Sequence, residues 1–181
     1  MNANYRRSLL LLLIFMVLSA CNMASPPKDF PYELMLSYQD LPPGWERLGG
    51  SFPDELGAVS HRVAYSPQPE VSWKAISHQI AIYPDEVSAM AAYPVWEEQW
   101  FRPGWQDVPG AESSLQGIND IYRFGYHDGS IDNISFRSYR FLQLHNNMII
   151  LILANADNEF LDLDRLLQVI RSLDSKFPLD P

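Results

Sequence analysis

Trp73-Lys74-Ala75-Ile76-Ser77-His78-Gln79-Ile80-Ala81-Ile82-Tyr83, followed at once by Pro84-Asp85-Glu86, is the stretch that decides the fold. Ile76, His78, Ile80 and Ile82 recur at every second position, so a strand puts them on one face and Ser77, Gln79 and Ala81 on the other. Proline in a first turn and acids against the positive end of a helix dipole then predict a helix from Pro84-Asp85-Glu86 to about Phe101. Its apolar stripe reads as Val87, Met90, Ala91, Trp96 and Trp100, with Pro94 expected to kink or divide it and Pro103-Gly104 closing it.

Downstream the pattern is a meander. Pro109 to Gln116 is small and polar and reads as an exposed loop, and Ile121 to Tyr126 alternates with Tyr122, Phe124 and Tyr126 on one face. Asp128-Gly129 is a hairpin signal, and the return strand from Asn133 has apolar residues in both parities from Tyr139 to Leu144, as in a bulge or a strand covered on both faces. Asn146-Asn147 suits a second tight turn before Met148 to Ala154, a nearly continuous apolar run that predicts a central strand. Leu163, Leu166, Leu167, Ile170 and Leu173 then share one face of a final helix capped by Asp157 or Asp162.

Upstream, Val59 to Tyr65 reads as a strand with His61, Val63 and Tyr65 on one side. Glu46 to Ala58, with its glycines and Pro53, reads as a loop or ragged hairpin. Tyr32 to Tyr38 reads as a short helix ended by the turn Asp40-Leu41-Pro42-Pro43-Gly44-Trp45, and Trp45 as a plug at the domain edge. This order predicts an α+β domain: an antiparallel sheet of five to six strands with a long middle helix and a C-terminal helix packed on it.

The N-terminus is of another kind. Arg6 and Arg7 precede the unbroken apolar run Leu9 to Val17, and Leu18-Ser19-Ala20-Cys21 follows. This resembles a bacterial lipobox, which implies cleavage after residue 20 and a diacylglyceryl group on Cys21. Leu18 disfavours plain secretion, which prefers a small residue there, and Ser8 to Ala20 is too short for a retained span of about 18 to 20 residues. Residues 1–20 are thus expected to be a leader, 21–31 a lipidated cysteine with a proline-containing linker, and 32–181 one globular domain. The expected location is the extracytoplasmic face of a bacterial membrane. Asn22 behind the cysteine resembles the pattern of lipoproteins released to the outer membrane of diderm bacteria.

Composition narrows the partners. The chain has a formal charge of −9, and loss of the leader, which carries Arg6 and Arg7 and no acid, makes it two units more negative. An acidic surface repels nucleic acid and anionic headgroups, so the membrane is expected to be reached through the lipid alone. Aromatics at 13% give the body ample material for a core, and a single cysteine precludes an internal disulfide.

Catalytic sets are missing from the sequence. His61, His78, His127 and His145 lack metal-ligand partners at i+2, i+3 or i+4, and the mature chain has no Gly-x-Ser-x-Gly elbow. His78, among isoleucines, reads as a core histidine, and His127-Asp128 as neighbours on opposite strand faces. The acids Asp157, Glu159, Asp162 and Asp164 lack the ligand alternation of a calcium loop and read as helix-capping residues. No catalytic, metal or cofactor residue is therefore assigned. The leading surface candidates are Trp96, Trp100 and Trp105 beside Tyr93 and Phe101, planar rings that can line a groove where they are not core. Arg137 and Arg140, flanking Tyr139, are candidates to receive an anion.

Pro43-Gly44-Trp45, a strand pair leading to an acid-led helix, a hairpin meander and a closing Leu166-Leu167-Gln168-Val169-Ile170-Arg171-Ser172-Leu173 helix together resemble, in layout, Mog1/PsbP-like and LpqN-like lipoprotein domains. The resemblance implies an α+β accessory module. PsbP-like proteins are photosystem accessory factors and Mog1 binds a small GTPase, but no functional residue of either maps onto this sequence. The leading expectation is a non-catalytic, membrane-tethered module for an envelope protein or small ligand. The alternatives are an envelope hydrolase with an unrecognised active site and a PsbP-like photosynthetic accessory factor.

Overall fold

A computed structural model of the protein describes residues 30–67, 75–118, 121–131, 134–156 and 161–177. Residues 1–29, with the expected leader, Cys21 and the expected linker up to residue 29, lie outside the described residues, as do Trp73, Lys74, Asn133, Asp157 and Glu159.

Among the described residues seven strands form one antiparallel sheet: β1 (Glu46–Ser51), β2 (Val59–Ser66), β3 (Ile76–Ile82), β4 (Gln106–Asp107), β5 (Ile121–Ile131), β6 (Ile134–His145) and β7 (Met148–Ala156), in the order β1-β2-β3-β7-β6-β5-β4. The α+β antiparallel class is as expected, with more strands. The described residues also hold the long helix α1 (Glu86–Trp100), the short α2 (Ala111–Ser114) and α3 (Leu163–Asp174), beside two 3-10 turns at Tyr32–Leu34 and Tyr38–Asp40. β7 lies in the middle of the sheet, and Ile149, Ile150 and Leu151 are fully buried in it.

The two faces of β3 sort the helices. Ile76 and Ile80 join Phe141, Ile150 and Ile152 under α3, which contributes Leu166, Leu167, Ile170 and Leu173. Ala81, with Leu142, Ile149 and Leu151, packs against Ala89, Tyr93 and Trp96 of α1. One helix therefore covers each face, which explains why β6 is apolar in both parities. Asp85 caps α1 by accepting from the Ser88 amide at 2.7 Å, and Asp162 caps α3 by accepting from the Arg165 amide at 2.8 Å.

Four expectations change. The buried stripe of α1 is Ala89, Tyr93 and Trp96, whereas Val87 is 78% exposed and Met90 52%. The helix has apolar residues all round, and burying its largest rings removes the most surface from water. α1 also runs unbroken through Pro94, which is exposed, so water can reach the carbonyl of Met90 that loses its helical donor. Asp128-Gly129 is no turn: Asp128 pairs with Arg137 and Gly129 with Phe136, and the ladder ends at Ile131 opposite Ile134. A Cβ on Gly129 would lie 2.7 Å from the Phe136 ring, so the glycine makes room for an aromatic on the neighbouring strand. Glu46 to Ser51 forms an edge strand with a bulge between Arg47 and Gly49, invisible as alternation because all six residues are exposed.

Asn146 follows expectation with a positive φ of 51° in the turn between β6 and β7, and Trp45 is buried. Two further expectations change. Pro109 to Gln116, read as an exposed loop, folds over Ala111–Ser114 as α2, because Ala111 and Leu115 bury one side of it in the core. Tyr32 to Tyr38, read as one short helix, is split into two 3-10 turns as Met35 and Leu36 are drawn into the core between them.

His78 is completely buried, and its Nδ1 accepts the Leu36 amide at 3.0 Å, so the neutral ring carries its proton on Nε2. Burial, reinforced by the Lys176 ammonium and opposed by Asp40, lowers its pKa from 6.5 to about 3. His61 is also lowered, by burial and then by Arg47, against a hydrogen bond to the Ser51 backbone. A depressed histidine contributes its stability in full above the unfolded value of 6.5, and loses it as the pH falls toward the folded value. Unfolding free energy measured by denaturant titration is expected to fall between pH 6.5 and 3, with His78 contributing a slope of about 1.4 kcal/mol per pH unit. His78→Gln should remove about one proton's worth of that slope, and an unchanged slope would contradict the assignment.

Candidate functional site

The segment from Phe30 to Leu41 crosses the α3 face of the sheet as a strap. Its backbone has no strand to pair with: the two 3-10 turns satisfy the amides of Leu34, Met35, Asp40 and Leu41 internally, and side chains take those of Leu36 and Ser37 between them. The Leu36 amide goes to His78, and the Leu36 carbonyl accepts the Tyr65 hydroxyl at 3.1 Å, which clasps one buried residue between β3 and β2. Lys176, just past α3, donates to the Met35 carbonyl at 2.9 Å and to Asp40 Oδ2 at 2.6 Å. Asp40 Oδ2 also accepts from the amide and hydroxyl of Ser37, each at 2.8 Å, and its Oδ1 accepts from Ser172 at 2.9 Å. Burial pushes the Asp40 carboxyl up, but these hydrogen bonds outweigh it and hold the pKa below 3.8.

Between strap, β1 and β2 lies a concavity of about 600 Å³. Its walls are mostly apolar and aromatic: Tyr32, Met35, Leu36 and Tyr38 from the strap, and His61, Val63 and Tyr65 from β2. That volume falls within the range of small-molecule sites, roughly 300 to 1,000 Å³. His61 is 4% exposed, stacked 4.3 Å from Phe52 and edged by Phe30 and Tyr32, and its Nδ1 has no partner among the described residues. Arg47 stands at the β1 side, Lys176 and Glu33 at the strap. A Cβ on Gly50 would lie 3.1 Å from the Arg47 guanidinium and 3.2 Å from the His61 ring, so both close over the bare glycine.

The sequence candidates fall in three places. Trp96 is fully buried, with Nε1 donating to the Tyr83 hydroxyl at 2.9 Å; it is a core residue, not a surface one. Trp100, Trp105 and Arg140 do come together at the C-terminal end of α1. Arg140 donates to the Trp100 carbonyl, and its guanidinium lies 4.0 Å from the centre of the Trp105 ring and 5.3 Å from that of Trp100. Arg62 approaches Trp100 at 5.7 Å, its Nε held by Gln79 Oε1 at 2.8 Å while Gln79 Nε2 reaches Glu55 at 3.0 Å. A cation on the last carbonyls of a helix opposes the negative end of its dipole, so this cluster has a structural task as a helix stop. Arg137 is elsewhere, two hydrogen bonds of 2.6 and 2.9 Å joining it to Asp128 while it covers the Tyr126 ring. Residues 137 and 140 have opposite strand parity and face opposite sides of the sheet.

Among the described residues no three of His, Cys, Asp and Glu gather as metal ligands. His127 lies against Trp105, and the neighbouring Asp128 is engaged by Arg137. The strap pocket has no local sequence signature, because Asp40 and Lys176 are 136 positions apart. Its trace in the sequence is the strand face shared by His61, Val63 and Tyr65.

The chain is similar in structure to the extracellular domain of PknH from Mycobacterium tuberculosis, with 11% sequence identity and a TM-score of 0.56. The match covers 86% of this chain and 98% of that one, and at such identity it is a likeness of fold. No family model matches the chain, and no curated protein matches it.

Asp40→Ala leaves the Lys176 ammonium, 22% exposed, without its carboxylate. The expected cost in denaturant unfolding is about 2 to 4 kcal/mol, with Lys176→Met costing less because it removes the charge along with the bond. A loss below about 0.5 kcal/mol for Asp40→Ala would contradict the clasp.

Proposed function

We propose that the protein is a lipid-anchored, extracytoplasmic, non-catalytic module that binds a small ligand in the pocket beneath the strap. The observation that carries the binding reading is the pocket itself: about 600 Å³, walled by tyrosines, aliphatic side chains and a buried histidine. The lipobox-like Leu18-Ser19-Ala20-Cys21 supports the anchor. The fold shared with a domain described as extracellular supports the location. Phe30, whose ring edges His61, lies in sequence at the domain end of the segment expected to link Cys21 to the domain.

Two measurements test this. Cys21→Ser is expected to abolish metabolic incorporation of labelled fatty acid, and persistent labelling would refute the anchor. A fragment library screened by ¹⁵N–¹H NMR against the mature chain carrying Cys21→Ser is expected to shift amides of 32–39 and 61–65 first. Hits that gather around Trp100 and Trp105 instead would move the site.

A further inference from the structure

We infer that the strap pocket takes an amphiphilic monoanion, an apolar chain or ring bearing one carboxylate or phosphate head, with Arg47 receiving the head. This rests on the pocket being the binding site.

The walls define the apolar half. Met35, Leu36 and Val63 offer no hydrogen bonds, Tyr65 spends its hydroxyl on Leu36, and Tyr38 accepts the Arg47 amide through its own hydroxyl at 3.3 Å. A strongly polar ligand would leave its groups unpaired against these surfaces.

Charge defines the head. Arg47 and Lys176 are the cations of the lining and Glu33 is the carboxylate. Lys176 is neutralised by Asp40, whereas no carboxylate stands within ion-pair distance of Arg47 among the described residues. The Arg47 guanidinium folds over Gly50 toward His61, and its charge depresses the imidazole after burial does. An unpaired guanidinium at the mouth of an apolar pocket is a bidentate receptor for a carboxylate or phosphate. Its placement is notable on a chain of formal charge −9, whose overall field repels anions.

The test uses the mature chain with Cys21→Ser and matched ten-carbon probes followed by calorimetry: decanoate, decyl phosphate, decanol and decyltrimethylammonium. Decanoate or decyl phosphate should bind with 1:1 stoichiometry, at least tenfold more tightly than decanol and the cation, and the preferred anion separates a carboxylate from a phosphate head. Arg47→Gln should bring the anion down to the affinity of decanol while leaving decanol unchanged. Gly50→Ala, whose methyl displaces the guanidinium, should weaken the anion in the same sense without opening a cavity. Val63→Trp should abolish binding of every probe. Equal binding of decanoate and decanol, lost together in Val63→Trp, would overturn the anionic class while leaving the pocket. Binding indifferent to Val63→Trp in a variant that still unfolds cooperatively, or no binding by any probe, would overturn both.

Discussion

The structure turns on how one buried backbone residue is satisfied. Leu36 lies on the sheet with no strand beside it, and leaving its amide unpaired would cost about 1 to 3 kcal/mol. His78 and Tyr65 supply the missing partners from adjacent strands, and Lys176 with Asp40 ties the same segment to the end of α3. The strap and the end of α3 are thereby fixed to one another across the α3 face of the sheet. A chain with no second cysteine has no disulfide with which to make that closure.

The clasp also creates the cavity. Without the strap, Val63 and Tyr65 would be the open face of an edge-proximal strand; with it, they become the floor of a pocket whose roof is Tyr32, Met35 and Tyr38. The proposed anchor attaches to this same segment, so membrane tether, structural closure and ligand wall are successive stretches of one chain. The Trp100, Trp105 and Arg140 cluster lies on the opposite face and serves the end of α1.

Elements buried by a regular pattern were legible in the sequence. β3, β7 and α3 each bury a face or a run that periodicity exposes, and His78 declared itself by sitting in the isoleucine row. Where local chemistry meets a tertiary demand, the sequence pattern misleads. Gly129 looks like a turn residue until Phe136 is laid over it, and Val87 and Met90 look like a core stripe until Tyr93 and Trp96 compete for the same sheet. β1 carries no signal at all, since its pairing is made by backbone alone. The pocket is illegible for the same reason that it is stable: its defining contacts join the strap to Lys176, 136 positions beyond Asp40, which no window along the chain contains.

Hydrogen exchange at the Leu36 amide reads the clasp itself. This single amide, in a segment of 3-10 turns, is expected to exchange as slowly as the amides of β3 and β7 and to accelerate in His78→Gln. Exchange of Leu36 at the rate of the surrounding exposed turns would contradict the clasp, and with it the fixed wall on which the pocket depends.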